Sequence, residues 1–590
     1  MKKYSVLFIF GLLLYSRFIG LDWGLPFPMH PDERNMVDAV MRLKCNVDGW
    51  ETFADLQLCY NPGFFAYGQL PLYMGFLAVK IWQGIFGLFE IKKVINFSAA
   101  TLGLRIVSAF LSLFLCLAMW KMYRFMRSKL PEISSFQGSL AQGLDILVLL
   151  ILVFQPYLIQ YAHFGTTETF LMLLYVLTTY YSLRFIERPS WKWVAASAAM
   201  VGFASGIKTS GLIYIAVPVV AIFYTTFRKE HFALFRLKIY ALFRYACTFS
   251  IVVTICYILA APHNILSWKD FIISMRYEVP VGNGTLLVFY TRQFIDTIPY
   301  LFQFTHIFPY ALGLPILTLF IIGFVALPWK NPYVLILRFA WLAYFLVTGS
   351  LFVKWSRFMA PIMPLMTIFS IFGLLFMMSR LNIKRNMTWV ILVVVGVVTL
   401  LPGIAYLTIY RTPDVRFVAS KVIADTVPPQ SKIFEEAGNV INIPIPPPNT
   451  QFIIPYYSFV AANVYELNSE EDMQSIQPAL DQADVVVIPS RRIFASRTCL
   501  RPSDVMFTIS EYLLIRDCEK VFNRYPYHQR YYQQLFSETS PFIQTAEISS
   551  YPRIELFGKI LMEFPDEFAE ETWTVFDHPV IRLYKRASTY

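Results

Sequence analysis

The sequence predicts a mainly α-helical membrane protein, a bundle of about eleven membrane-spanning helices followed by a smaller α/β domain. Hydrophobic residues make up 56% of the 590-residue chain and charged residues only 15%, a composition that soluble domains do not approach. Several apolar runs reach the roughly 20 residues needed to cross a bilayer. The net charge of +11 comes from basic residues in short loops between these runs, where they set topology. It therefore does not indicate a nucleic-acid partner.

The first apolar run, residues 5–21, is expected to remain as the first span because no small-residue cleavage site follows it. Lys2 and Lys3 place its N-terminus in the cytoplasm. The segment 71–90 carries Lys80 near its centre, so we expect a helix lying in the membrane interface. Ten further spans are expected at 103–123, 144–161, 169–184, 193–207, 211–227, 241–261, 309–328, 333–352, 359–379 and 389–409. With this assignment the inner loops carry the Lys and Arg residues, and the C-terminus lies outside.

The C-terminal part differs in composition from the rest of the chain. Residues 411–590 contain no run long enough to span a membrane, and they are rich in proline and charged residues. Periodicity predicts a helix at 416–426, a strand at 431–435, a buried strand at 484–489 and an alternating edge strand at 581–585. We therefore expect two domains, a transmembrane domain at 1–410 and an extracytoplasmic α/β domain at 411–590.

The tetrapeptide His30-Pro31-Asp32-Glu33 directly follows the first span. Two carboxylates at the mouth of a membrane helix are costly unless water and partners solvate them, so ionisable residues at this depth indicate function by default. The alternative is an ordinary acidic loop at the membrane interface.

Other unusual polar residues fall on the same outer side of the predicted bundle. They are His163, Glu168, Lys208, Arg276, Tyr290, Arg292, Lys354 and Arg357. Acids and bases around one vestibule suit a substrate that carries a phosphate and a reacting hydroxyl, because cations hold phosphate and a carboxylate accepts a proton.

Several of these residues have purely structural alternatives. Lys208 could be a snorkelling lysine, Arg357 an interfacial anchor, and Glu168 an acid favoured by a helix N-terminus. His163 is more often a packed histidine than a ligand. No His or Cys spacing indicates a metal site, so no cofactor is expected to be required, although a divalent cation stays possible.

A series of motifs gives the chain a family resemblance. PMHPDE follows the first span, and YGQLPLY, LGLRIVSA, HFGTTETFLML, GIKTSG, FYTRQFIDTIPYLFQ and KWSRFMAPIMP follow in order, with YRTPDVRFVAS and AEETWTVFDHPVIRLYKR in the C-terminal part. In this order they resemble the GT-C glycosyltransferases. These polyprenyl-phosphate-sugar-dependent enzymes include protein O-mannosyltransferases, the aminoarabinose transferase of lipid A and bacterial phospholipid-carrier-dependent glycosyltransferases.

The resemblance implies a GT-C fold with interfacial helices and an inverting sugar transfer from a polyprenyl-phosphate carrier on the extracytoplasmic face. Asp32 would be the general base, with Glu33 as its neighbour. The second acidic motif of the family usually ends in Asp, and Glu168 stands there in this chain, so its catalytic role is left open. Lys208, Arg292, Lys354 and Arg357 would hold the phosphate, and His30, His163, Arg276 and Tyr290 would complete the substrate site.

Two other functions stay open on the sequence alone. One is a lipid-linked oligosaccharide ligase or polymerase of the same superfamily, and the other is a transporter or flippase of lipid-linked sugars. A transporter should show paired broken helices in two related halves, which the sequence does not. The acceptor could be protein, glycan or lipid, and the expected location is a bacterial plasma membrane.

The seven cysteines divide according to the predicted topology. Cys116, Cys247 and Cys256 lie within spans and should be reduced. The four outer cysteines pair without remainder as 45–59 and 499–518, in a compartment where disulfides persist, although four free thiols stay a possible alternative.

Overall fold

The structure, a computed structural model, describes residues 3–45, 57–86, 95–134, 138–228, 235–380, 385–437, 443–445, 457–502 and 517–587. Helices make up most of the described residues up to Arg411. The longer ones are Lys3–Phe18, Pro31–Arg42, Leu70–Phe86, Phe97–Arg127, Gly138–Val153, Pro156–His163, Glu168–Glu187, Trp191–Ile207, Ala216–Phe227, Phe235–Ala260, Trp268–Asn283, Leu314–Ala326, Pro332–Gly349, Met363–Arg380 and Arg385–Arg411. Short helical segments lie at Pro131–Ser134, Thr209–Ile215, His263–Leu266, Phe289–Phe294, Gln303–Ile307, Phe308–Leu312, Ser356–Met359 and Ala360–Ile362.

The helices include enough apolar spans to make the chain an integral membrane protein. Within the described residues, seven helices are long and apolar enough to cross a bilayer, and the number rises to nine if each of two bent pairs counts as one span. The seven are Phe97–Arg127, Glu168–Glu187, Thr209–Phe227, Phe235–Ala260, Pro332–Gly349, Ser356–Arg380 and Met387–Arg411. The bent pairs are Gly138–Val153 with Pro156–His163, at 42°, and Gln303–Leu312 with Leu314–Ala326, at 113°.

The predicted count of eleven spans stays a prediction. Nine of the eleven correspond to the single helices and bent pairs, and the other two are the 16-residue helix Lys3–Phe18 and the 17-residue helix Trp191–Ile207. Both are shorter than the roughly 20 residues of a full span. The helix expected at 71–90 is observed as Leu70–Phe86, and its last predicted residues, 87–90, lie outside the described part of the chain.

Close helix packing in the bundle depends on glycine at one crossing. Gly323 and Gly373 face each other where Leu314–Ala326 crosses Met363–Arg380, and a Cβ on Gly323 would lie 2.1 Å from the carbonyl oxygen of Phe369. Small residues let helix backbones approach in a membrane, where packing rather than water exclusion holds helices together.

The C-terminal part folds into a five-stranded mixed sheet and a separate hairpin. The strands are β1 Lys432–Ala437, β2 Ser458–Asn463, β3 Val485–Ile488, β4 Phe542–Ile548, β5 Arg553–Leu556, β6 Lys559–Glu563 and β7 Ile581–Arg586. The sheet has the order β2-β1-β3-β7-β4, with β2, β1 and β3 parallel and β7 antiparallel to both of its neighbours, and β5 pairs only with β6. The accompanying helices are Val415–Thr426, Glu470–Gln482, Phe494–Arg497, Cys518–Arg524, Pro526–Phe536 and Glu571–Thr574, with a 3₁₀ turn at Val464–Glu466.

The strand at 581–585 is wrongly predicted as an edge strand. It forms β7, which lies between β3 and β4, and Arg582 on it is buried. Arg582 binds the Glu567 carboxylate with two hydrogen bonds of 2.8 Å each. A charged residue in an alternating pattern predicts a solvent-facing position, but here a paired acid allows the charge to be buried.

The C-terminal part packs directly against the membrane helices through a polar cluster. Tyr410 donates to the Asp577 carboxylate at 2.7 Å, and Gln160 donates to the carbonyl of Trp573 at 2.7 Å. His578 lies between Asp577 and Asp566, at 2.6 and 2.9 Å. Burial alone would lower the pKa of His578, but the two carboxylates raise it to about 10. The division into domains at residues 410 and 411 stays a prediction.

Both predicted cysteine pairs are confirmed as disulfides. The Cα atoms are 4.1 Å apart for Cys45–Cys59 and 5.8 Å apart for Cys499–Cys518, both below the separation of about 7 Å that would exclude a disulfide. Cys116, Cys247 and Cys256 are free, as predicted.

Candidate active site

The HPDE motif begins a helix in the way its sequence dictates. His30 is the N-cap of Pro31–Arg42, and its Nδ1 accepts a hydrogen bond from the backbone N–H of Glu33 at 3.3 Å. Proline is favoured at the first helical position because it has no N–H to leave unpaired. The His30 ring is buried between Phe576 and Phe164, at centroid distances of 4.2 and 4.7 Å. Burial, followed by the nearby Arg357 and Arg105 charges, lowers the pKa of His30 well below 6.5. The ring is therefore neutral, and its Nδ1 can accept the hydrogen bond from Glu33.

The two acids of the motif have different surroundings. Glu33 is buried and receives a two-pronged hydrogen bond from Arg105, at 2.8 and 2.7 Å, and a third from the backbone N–H of Gly165 at 2.7 Å. Arg105 also donates to the carbonyls of Leu21 and Trp23, at 2.7 and 2.8 Å. Glu33 therefore connects the motif to two neighbouring segments, and its carboxylate is fully engaged by these hydrogen bonds.

Asp32 lies one residue earlier and points to a different partner. Its carboxylate pairs with the guanidinium of Arg357, and 21% of the Asp32 side chain is exposed against 4% for Glu33. Arg357 also stacks over the Trp355 ring, 4.3 Å from its centroid. Asp32 is therefore the more exposed acid of the pair.

A second acid–base pair lies beside the first. Glu168 is the first residue of the helix Glu168–Glu187, and its carboxylate is 3.8 Å from the Lys208 ammonium. Lys208 also lies over the rings of Tyr67 and Phe358, at 5.2 and 4.8 Å. Burial lowers the pKa of Lys208, and the Glu168 charge opposes that shift. The helix N-terminus favours the negative charge of Glu168 as well.

These pairs meet at a narrow cleft. Its lining residues are His30, Asp32, Tyr161, Phe164, Glu168, Ser356, Arg357, Thr572 and Phe576. The cleft has a volume of about 10 Å³, enough for roughly one water molecule. The protein is thus closed around the acids, and a sugar could enter only if the cleft opened.

The C-terminal part supplies one wall of the cleft. Glu570 accepts a hydrogen bond from the backbone N–H of Ser356 at 2.9 Å, and Ser356 Oγ lies 3.2 Å from Thr572 Oγ1. Glu571 pairs with Arg492, which is also buried. Burial raises the pKa of Glu570, and it raises the pKa of Glu571 to about 7 against the pull of Arg492. The Arg357 guanidinium therefore lies in a mixed field of acids and bases from both parts of the chain.

The structure brings together four of the predicted site residues, His30, Asp32, Glu168 and Arg357, in the lining of the cleft. Lys208 pairs with Glu168 but is not itself a lining residue. Other candidates lie outside the lining of the cleft. His163 is held at both ring nitrogens by the carbonyls of Ile159 and Ile19, each at 2.7 Å, and stacks on a tyrosine. Lys354 donates to the carbonyl of Phe352 at 2.9 Å, and burial lowers its pKa to about 8.

The three candidates from the outer loop also lie away from the cleft. Arg276 is exposed on the helix Trp268–Asn283. The hydroxyl of Tyr290 lies 3.0 Å from that of Tyr277, and its ring lies 6.1 Å from the ring of Trp355, over which Arg357 stacks. Arg292 lines a separate cavity of about 330 Å³ together with Tyr465 and Asp472. Placement in the same predicted outer loop therefore did not indicate which side chains line the cleft.

The residues that the C-terminal part contributes to the site were not expected from the sequence. Glu570, Thr572 and Phe576 fall within the quoted segment AEETWTVFDHPVIRLYKR, but no pattern in it indicates contact with a helix more than 200 residues away. The available signal was local: two adjacent acids that precede a Thr-Trp pair in a segment otherwise expected to face water. Within the described residues, no group of three or more His, Cys, Asp or Glu side chains could hold a metal ion.

Comparison with known proteins gives matches only among solved structures. No family model matches the sequence, and neither does any curated protein. A crystal structure of ArnT from Cupriavidus metallidurans bound to undecaprenyl phosphate matches with a TM-score of 0.42 and 12% identity, over 83% of this chain and 93% of that chain. The same protein in its apo state matches with a TM-score of 0.42 and 14% identity, over 85% and 96%.

Proposed function

We propose that this protein is a GT-C-type glycosyltransferase that moves a sugar from a polyprenyl-phosphate carrier to an acceptor hydroxyl on the extracytoplasmic face. The observation that carries the proposal is the pairing of Asp32 with Arg357 in a cleft that also contains Glu168. A carboxylate can accept the proton of the acceptor hydroxyl, and a guanidinium can bind the phosphate of the carrier. The order of motifs that resembles this superfamily supports the same conclusion.

The reaction assigns a separate role to each partner. Arg357 turns from Asp32 to the donor phosphate, because planar two-pronged binding of phosphate suits a guanidinium. The released Asp32 carboxylate is then a better base than an ion-paired one. It accepts the proton of the acceptor hydroxyl as that oxygen attacks the anomeric carbon. The bond between the anomeric carbon and the phosphate oxygen breaks, and the configuration at that carbon is inverted.

The leaving phosphate carries the negative charge that develops in the reaction. Arg357 and Lys208 stabilise it, as cations in a site that excludes water. Glu168 holds Lys208 in place in the absence of donor, at 3.8 Å. The leaving group needs no protonation, so the second acid acts by positioning and not as a general acid. The proposed reaction uses no metal or organic cofactor.

Lipid identification followed by a reconstituted transfer assay tests the proposal. Lipids that purify with the protein are identified by mass spectrometry, and the polyprenyl-phosphate sugar found is returned in proteoliposomes. We expect release of free polyprenyl phosphate and a glycosylated product on the outer face. Arg357→Gln should lose most of this activity, whereas the exposed Arg276→Gln should keep it. Movement of the intact lipid-linked sugar across the bilayer with no release of carrier would identify a transporter and contradict the proposal.

A further inference from the structure

The hairpin β5–β6 exposes apolar side chains to an unusual degree. Leu556, Phe557, Ile560, Leu561 and Met562 are all exposed, and 96% of Phe557 is accessible at the tip. A hairpin in water normally turns one apolar face towards a core. In this hairpin the apolar side chains occupy successive positions of β6, so they project from both faces.

The tip of the hairpin is a tight turn that presents phenylalanine outward. Phe557 and Gly558 have φ values of +50° and +74°, and a bulky side chain at positive φ is rare because of its steric cost. The backbone strain at Phe557 brings no packing within the protein, since the side chain is almost fully accessible. Two-residue hairpin turns often have positive φ at both positions and then favour Asn or Gly there, so the unusual feature is that this turn carries an almost fully exposed phenylalanine.

The base of the hairpin is attached to the end of a membrane span. The backbone N–H of Arg553 donates to the hydroxyl of Thr408 at 3.3 Å, and Thr408 lies three residues before the end of the helix Arg385–Arg411. That helix turns apolar side chains outward from Val390 to Ile404, whereas its residues 405–410 are buried. The hairpin therefore begins about one helical turn beyond Ile404, the last outward-facing apolar residue of the span.

The reach of the hairpin matches an interfacial anchor. Four residues of strand at about 3.3 Å each place Phe557 within roughly 13 Å of the Thr408 contact. Interfacial elements bury their apolar side chains about 5–10 Å deep and keep basic groups at the headgroups. Lys559 sits directly after the turn, where its ammonium can reach lipid phosphates while its stem stays with the apolar side chains.

We propose that β5–β6 is a membrane-dipping hairpin that inserts the Phe557 tip into the lipid bilayer beside the last span. A second protein copy would cover one face of the ribbon, whereas the two-sided apolar surface suits a solvent that surrounds it. The insertion anchors the C-terminal part at the membrane independently of any catalytic activity.

Site-directed fluorescence in proteoliposomes tests the insertion. A cysteine at Phe557→Cys, in the full-length protein, is labelled with an environment-sensitive nitrobenzoxadiazole dye, and a second sample carries the dye at Leu561→Cys. Unsubstituted protein taken through the same labelling supplies the background from Cys247. The matched control is Glu538→Cys, an exposed position in the turn before β4. We expect blue-shifted emission at 557 and 561, at least twofold quenching by brominated lipids and protection from aqueous iodide, with the opposite behaviour at 538.

Two results would overturn the proposal. Iodide quenching at 557 and 561 equal to that at 538 would show that the hairpin stands in water. Protection from both iodide and brominated lipid would show that protein covers the hairpin, either its own chain or a second copy. Because both dyes sit on exposed side chains, neither substitution should change folding, which the thermal unfolding midpoint checks.

Discussion

Replacing Glu33 should destabilise the protein far more than replacing its neighbour Asp32. The Glu33 and Arg105 side chains are 4% and 1% exposed, and Glu33 accepts hydrogen bonds from Arg105 and from the Gly165 N–H. In Glu33→Gln the amide keeps one acceptor oxygen and turns donors towards a guanidinium that cannot lose its proton. The Arg105 charge is then buried without compensation.

The size of the effect follows from burial. Removing one partner of a buried ion pair costs about 3–5 kcal/mol, whereas breaking a partly exposed pair costs about 1 kcal/mol or less. We therefore expect Glu33→Gln to lower the free energy of unfolding by about 3–5 kcal/mol. Asp32→Asn should change it by about 1 kcal/mol, because that side chain is 21% exposed.

The assay is equilibrium unfolding in mixed micelles, with a double-mutant cycle of Glu33→Gln and Arg105→Met. The two substitutions should be strongly non-additive, because the second removes the charge that the first leaves unpaired. A free energy of unfolding for Glu33→Gln within 1 kcal/mol of wild type would refute this reasoning, as would simple additivity in the cycle.

Two further predictions concern charges at the cleft and at the contact between the two parts of the chain. Lys208→Met should weaken binding of the donor by about tenfold to a hundredfold, the size of one lost charge-assisted hydrogen bond, while Lys354→Met should leave it nearly unchanged; equal effects in a lipid-binding titration would contradict the placement of both lysines. Folding raises the pKa of His578 from 6.5 to about 10, so its stabilisation is complete below pH 6.5 and is lost as the pH rises through 10. The penalty of His578→Gln on the unfolding midpoint should therefore be large at pH 6 and small at pH 10.5, and a pH-independent penalty would argue against a charged histidine.

The sequence predicts well those structural features that depend on neighbouring residues alone. The helix at 416–426 is observed at Val415–Thr426, and the buried strand at 484–489 is observed at Val485–Ile488. Hydrophobic periodicity determines such elements because each side chain responds to its own surroundings. The pairing of outer cysteines also follows from a local rule, since only two pairs share a segment.

Features that depend on distant contacts were not predictable. Arg582 has the sequence pattern of an exposed residue and becomes buried because Glu567, fifteen positions away, pairs with it. Glu570 reaches the cleft because Tyr410 and Gln160 hold the segment that follows it. The candidates Arg292 and Lys354 were grouped with Arg357 by predicted topology, but their own hydrogen bonds direct them elsewhere.

The central claim is that Asp32 is the base and Arg357 its reversible partner, and turnover with donor binding in Asp32→Asn tests it most directly. The matched control is Asp38→Asn, on the same helix and outside the cleft lining. We predict that Asp32→Asn lowers sugar transfer by about 10²–10⁴-fold and leaves donor affinity unchanged or higher, because Arg357 is released. Transfer within tenfold of wild type, or a loss of donor binding as large as the loss of transfer, would contradict the account.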